Sequence, residues 1–322
     1  MNNASASRPG EGSAMPPVVV IGGMNMDVLG RPHAPLTLRD SNPGKVTLRP
    51  GGVGRNIAWG VARLSIPVEL VTAVGNDTFG AALLKSCREE DIGTLHTIIA
   101  PRGTGTYLCL HDADGDMLCA INQMEAVETL SPEMLAPLIP VCNAAPLVAL
   151  DANLPANTLS FLAENITAPL FIDPVSAHKA KRVLPILSHV YAIKPNRLEA
   201  EVMTGFDCST QDGVWRAANF FLERGVKRVY ISLGKDGVYY TDGRDRGVIS
   251  SGLDADAPIR DFTGAGDAMT AGLIWAELQG RSVMNCALAG IRAAGARILN
   301  GTLDASLFHN FLDPHEHLHE GE

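Results

Sequence analysis

The sequence predicts an α/β protein: a mostly parallel central sheet with helices on both faces, plus a small second β-sheet standing over one edge. Two observations predict it. From residue 146 onward, short apolar runs alternate with helical patterns, a rhythm that indicates βαβ units around a parallel sheet. The first half starts the same way but is interrupted twice, at residues 29–48 and 104–122, by strands of a different kind.

Taken in order, "VVVIGGMNMDVLG" opens with a buried strand, a helix follows Gly54, "VELVTAVG" is a second strand, and a helix covers about 79–91. The interruption "TGTYLCLHDADGDMLCAIN" is a hairpin by its Asp-Ala-Asp-Gly turn and its alternating flanks. "PLVALDAN", "PLFIDPVS" and "VYAIKPN" are then strands, followed by helices near 155–164, 179–187 and 197–203. Ligands of such sheets bind outside the carboxyl ends of the strands. There the sequence places "GGMNMD", "RPGGVGRN", "DAN", "KPNRLEAE", "SLGKDG" and "DFTGAGD", and the small sheet would form a lid over them.

Composition narrows the partners. The chain has 322 residues, 46% of them hydrophobic, enough for a sizeable core, and a formal net charge of -9 with no dense Lys/Arg stripe. This argues against nucleic-acid binding as a main task, and a small-molecule partner is expected. No apolar run reaches the length of a membrane span. The six cysteines, Cys87, Cys109, Cys119, Cys142, Cys208 and Cys286, show no C-x-x-C spacing, which fits buried thiols in the cytoplasm. Residues 1–16 and 311–322 read as disordered tails around a single domain at 17–310, and His315, His317 and His319 read as part of a frayed end.

The stretch "DFTGAGDAMTAG", residues 261–272, sets glycines and aspartates at the mouth of an apolar helix. Small residues expose backbone N–H groups and the helix terminus adds partial positive charge, so Gly264, Ala265 and Gly266 read as an anion cradle beside Asp267. A tight turn with a capping aspartate is the alternative, and the residues alone leave both open.

The chain resembles the ribokinase-like (PfkB-type) carbohydrate and nucleoside kinases over roughly residues 18–303, through "GGVGRNIA" at 51–58, "DFTGAGDAMTAG" and "KPNRLEAE" in that order. There is no Walker G-x-x-x-x-G-K-[ST] loop, as in that family. The resemblance implies a ribokinase-like fold, ATP and Mg²⁺ as cofactors, and Asp267 as the base that accepts the hydroxyl proton, with the cradle holding the developing charge. It implies phosphate contacts for Asn196 and a water-mediated Mg²⁺ contact for Glu199. It also implies a monovalent cation, K⁺, at Asp261 and Thr263, with Phe262 between them where the family prefers a small or β-branched residue. Ser232, Gly234 and Gly237 are expected along the nucleotide, whereas Lys235 has no assigned role.

On the acceptor side, Asn25 and Asp27 suit sugar hydroxyls, because Asp accepts two hydrogen bonds from a vicinal diol and Asn both donates and accepts; a turn at the strand end is the alternative. Gly51 and Gly52 would let the sugar approach the backbone, with Asn56 completing the rim. Asp151 and Asn153, at another strand end, serve either a turn or the substrate. Within the family, "DSNPGK", "PGGVGRNIA", "DPVSA" and "KPNRLEAE" are most similar to kinases of pseudouridine, which implies transfer to its 5′-hydroxyl. Asn42, Lys45 and Asn122 are then the candidates for reading the base. Another sugar or nucleoside substrate, ribose included, and a non-catalytic sugar binder on the same fold are the competing readings. A homodimer through the small sheet is expected, since that sheet has open edges and an apolar face.

Overall fold

The computed structural model describes residues 15–253 and 263–308. Asp261, Phe262, the C-terminal histidines and nearly all of the two expected tails lie outside the described residues.

In chain order the strands are β1 (Val18–Ile21), β2 (Asn25–Pro32), β3 (Gly44–Gly51), β4 (Val68–Val71), β5 (Ala73–Gly75), β6 (Ile98–Ala100), β7 (Thr106–His111) and β8 (Met117–Gln123). They continue with β9 (Val148–Asp151), β10 (Leu170–Asp173), β11 (Ala192–Ile193), β12 (Arg228–Ser232), β13 (Val238–Thr241) and β14 (Arg246–Ile249). Eight of them form the main sheet in the order β14-β13-β12-β11-β10-β9-β1-β4. The pairs from β4 through β12 are parallel, and β13 and β14 close the sheet antiparallel. This is the α/β architecture, a mostly parallel sheet with a smaller second sheet, that the sequence predicts.

Burial explains why the central strands read as unbroken apolar runs. In β1, Val18 and Val20 enter one core while Val19 and Ile21 enter the other, so alternation of faces does not produce alternation of polarity. The first core is closed by helices Val53–Arg63, Thr78–Glu89, Ala265–Leu278 and Val283–Asn300. The second is closed by helices Ala156–Asn165, Arg197–Thr204 and Gln211–Glu223, among others.

The smaller sheet has the order β3-β2-β7-β8, with β2 parallel to β7 and the outer pairs antiparallel. Its register separates two faces. Arg49, Asp27, Tyr107 and Asn122 are cross-strand neighbours in one row, turned toward the ends of the main sheet. On the other face Leu48, Val28, Leu108 and Ile121 form a row, and Val46, Gly30, Leu110 and Cys119 form the next. Val46, Leu48, Leu108, Leu110 and Ile121 are all exposed. A third, two-stranded sheet pairs β5 with β6.

Candidate active site

The start of helix Ala265–Leu278 is where three cavities meet. Gly264 is its N-cap, in the left-handed region at φ 78°. Asp267 stands in the first turn and borders a cavity of about 900 Å³ under the small sheet. Ala265 and Gly266 border a cavity of about 630 Å³ on the other side. Thr263 and Gly264 also border a third space, of about 110 Å³.

Asp267 is held from across the molecule: Asn56 Nδ2 donates to its Oδ2 at 2.8 Å. The carboxyl keeps one accessible side in the cleft but is otherwise ringed by protein. Burial pushes it up to about 7, the neighbouring Asp173 adds to the rise, and Asn56 and Lys194 oppose it. Behind it lies a buried ion pair, Lys194 to Asp173 at 3.3 Å. Asp173 also accepts from Thr270 Oγ1 at 3.2 Å and from the backbone N of Val175 at 2.9 Å. A Cβ on Gly266 would stand 3.6 Å from Lys194 Nζ, so the lysine lies directly under the cradle. Val175 itself takes φ 69°, an uncommon state for a β-branched residue, at a position that borders the cavity of about 900 Å³.

The cavity of about 900 Å³ brings together Asn25, Asp27, Gly52, Asn56, Asn122, Asn153 and Asp267 of the expected residues. Asn25 Nδ2 donates to Asp27 Oδ1 at 2.6 Å, and burial raises the Asp27 carboxyl above its ordinary range. Gly52 has φ 98°, and a Cβ there would lie 2.4 Å from the carbonyl oxygen of Gly23. Gly51 does not border the cavity; its missing Cβ makes room for the Asp27 carboxylate, 2.6 Å from Oδ2, rather than for a sugar. Asp151 is a frame residue. Its Oδ2 accepts from the backbone N of Gly23 at 2.9 Å and of Gly54 at 2.8 Å, and its Oδ1 from Asn153 N at 2.9 Å.

Two expected base readers do not join this group. Asn42 spends its amide inside its own loop, accepting from Thr37 N and donating to the carbonyls of Thr37 and Asp40. Lys45 pairs with Arg31, two cleft-facing rows farther out than Asp27, and is exposed. In their place the cavity holds Tyr107, beside Asn122 in the sheet register, and Lys179, whose Nζ donates to Asn153 Oδ1 at 2.5 Å. The alternation around Tyr107 carried a signal for its facing. Lys179 gave none, because only the β10 crossover folds it over the cleft.

On the other side of the cradle, Ser232, Gly234 and Gly237 border the cavity of about 630 Å³ together with Met269, Ile291, Ala294 and Ile298. Its apolar wall and polar rim fit a purine with its phosphates directed to Ala265 and Gly266. Gly237 has φ 102°, and a Cβ there would strike the Ile249 carbonyl oxygen. Asn196 caps helix Arg197–Thr204 and forms a reciprocal box with Glu199: Glu199 N donates to Asn196 Oδ1, and Asn196 N and Nδ2 donate to the two Glu199 oxygens, each at 2.8 Å. Glu199 is buried, with its carboxyl raised by desolvation and drawn back by Lys194. With both oxygens engaged, Glu199 fits a metal reached through water, not one bound directly.

The profile described as "pfkB family carbohydrate kinase" matches residues 15–307. The chain belongs to the PfkB family of carbohydrate kinases. This PfkB kinase is similar to the pseudouridine kinase of Escherichia coli strain K12, at 40% identity over 262 residues, covering 80% of this chain and 82% of that one. It is 30% identical to an uncharacterised sugar kinase of the same bacterium over 89% of this chain and 79% of the other. Its fold is that of Arabidopsis thaliana ribokinase, whose structure holds ribose and ATP, with a TM-score of 0.79, 21% identity and coverage of 92% and 98%. The PfkB kinase is thus a phosphotransferase acting on a sugar or nucleoside. Among the described residues no helix is long and apolar enough to cross a membrane.

Proposed function

We propose that this kinase transfers the γ-phosphoryl group of ATP to the 5′-hydroxyl of pseudouridine. The observation that carries the reading is the 40% identity to a pseudouridine kinase over most of both chains. The cleft supports it: one carboxylate, Asp267, stands between a sugar-sized polar corner and a cavity suited to a purine nucleotide.

In this reading Asn25 and Asp27 hold the ribose hydroxyls, which directs the 5′-hydroxyl at Asp267. The free Oδ1 of Asp267 accepts the hydroxyl proton as attack proceeds, while Asn56 fixes Oδ2. Backbone N–H groups from Gly264 to Gly266 stabilise the charge on the transferred group, with Lys194 beneath them. ATP lies along Ser232, Gly234 and Gly237, and Mg²⁺, neutralising its phosphates, is reached from Glu199 and Asn196 through water. Asn122 and Lys179 face the base. Among the described residues the Asn122 side chain has no hydrogen-bond partner, so its amide oxygen is available to a ring N–H.

A non-catalytic sugar binder has no use for a carboxylate beside an anion cradle, and the site retains both. We extend the proposal to K⁺ held by Thr263 and Asp261, to a homodimer through the apolar face of the small sheet, and to work in the cytoplasm, consistent with six free cysteines. An ADP-release screen over pseudouridine, uridine, inosine, ribose and hexoses tests the substrate. Highest kcat/KM for pseudouridine is expected, and equal or better turnover of ribose or uridine overturns the assignment. Equal rates in K⁺, Na⁺ and tetramethylammonium at one ionic strength overturn the cation site.

A further inference from the structure

We propose that the third cavity, of about 110 Å³, is a binding site for one small tetrahedral oxyanion, such as inorganic phosphate. It lies on the other side of Asp27 and Asn56 from the acceptor cavity, against Arg49, Arg55, Trp59, Gly264 and Arg297. Its lining carries three guanidiniums and one carboxylate.

Arg55 is only partly compensated: Glu90 and Cys87 favour its charge, but neither overcomes its burial. Arg55 is 8% exposed, and its Nε is buried without a hydrogen-bond partner. Its Nη1 and Nη2 make long contacts, 3.4 Å each, to Asn56 Oδ1 and Ser86 Oγ. Among the described residues neither Arg55 nor Arg297 forms an ion pair with a carboxylate. Arg297 opposes the charge on Arg55, adding to the larger cost of its burial. Arg297 also lies against the N-cap of helix Ala265–Leu278, where a Cβ on Gly264 would be 3.5 Å from its Nε. A buried cation, a second cation and a helix N-terminus thus converge on a space large enough for a single ion. Burying charge this way is costly unless something of opposite sign completes it. Planar guanidinium forks match the oxygens of a tetrahedral anion, and the chamber is too small for a nucleotide. Asp27 offsets part of the charge, but its Oδ1 is already occupied by Asn25.

The site is coupled to the chemistry by contact. Arg55 reaches Asn56, and Asn56 holds Asp267. The oxyanion could arrive free or as the phosphate of the 5′-phosphorylated product, and the two sources share the same recognition.

The test is phosphate titration by calorimetry and by tryptophan fluorescence, with chloride keeping ionic strength constant. Saturable binding is expected, with a fluorescence change that Trp59→Phe abolishes while the heat remains. Losing one charge-assisted contact should weaken phosphate by about tenfold or more in Arg55→Met and in Arg297→Met, with Arg297→Lys intermediate. Arg297 is only half-buried, so its variants keep the test sound where Arg55→Met fails to fold. Phosphate that still binds with saturating nucleoside present identifies the free ion. Phosphate displaced by a nucleoside 5′-monophosphate, whose own affinity falls in Arg297→Met, identifies the product's group. Phosphate affinity unchanged in both arginine variants means an adventitious ion only and overturns the proposal.

Discussion

Asn56 Nδ2 donates to Asp267 Oδ2 at 2.8 Å, joining two residues 211 positions apart in the chain. One sits in the first helix, the other at the start of the penultimate one, and the bond leaves a single oxygen of Asp267 facing the acceptor cavity. Asp267→Asn keeps the shape and removes the proposed base. It should lower kcat by about 10²- to 10⁴-fold while leaving ATP and nucleoside binding roughly unchanged in calorimetry. A rate close to wild type sinks the role.

The same bond sets a pH limb. As the proposed base, Asp267 must be ionised, and its carboxyl is pushed up to about 7, so kcat/KM should rise through neutral pH and level off above it. Asn56 favours the ionised form, and Asn56→Ala should move the limb to higher pH, with part of the lost rate recovered on the alkaline side. A limb that stays in place shows that Asn56 does not tune the base.

Stability carries the opposite sign. A carboxyl whose pKa rises on folding favours the folded state below its unfolded value, and that contribution is lost as pH increases through about 7. Asp267→Asn is therefore expected to raise Tm at pH 8, with the gain shrinking toward pH 4.5. Equal Tm differences at both pH values, by calorimetry without ligands, contradict this.

The apolar rows on the outer face of the small sheet predict a dimer. Ile121→Asp, opposite Leu108, places a charge in the middle of that face. Sedimentation should show a dimer for wild type at micromolar concentration and a monomer for the variant. A monomeric wild type refutes the interface.

Substrate preference should depend on Lys179. An ammonium can only donate, so the partner of Lys179 on the base is a ring carbonyl, which ribose lacks; losing that contact costs roughly 1–3 kcal/mol, about 5- to 150-fold in kcat/KM. Lys179→Met should reduce turnover of pseudouridine far more than that of ribose, measured by ADP release. A uniform loss across both assigns the lysine to the fold.

Much of this site was legible because glycine-rich and polar stretches mark strand ends, and the order of three motifs fixed which ends converge. Asp267, Asn25, Asp27 and Asn56 could be named for that reason. Gly51 could not be separated from Gly52, since only the packed structure reveals that one clears a carboxylate and the other a backbone carbonyl. Asn42 looked available but is consumed by its own turn, a local competition that spacing does not display. Lys179, Lys194 and the arginine pair depend on crossovers that bring distant segments together, and no local pattern encodes them.

Asp151 bears on how such an enzyme can change over time. Its one carboxylate ties the backbone of Gly23 to that of Gly54, so the turn before β2 and the first helix are set by a residue that borders none of the three cavities. Residues at the rim, such as Asn122 and Lys179, can be exchanged to admit a different aglycone without disturbing that tie. Redesign for new nucleosides should therefore treat position 151 as fixed and diversify the small sheet and the β10 crossover, where specificity can drift while the sugar corner stays rigid.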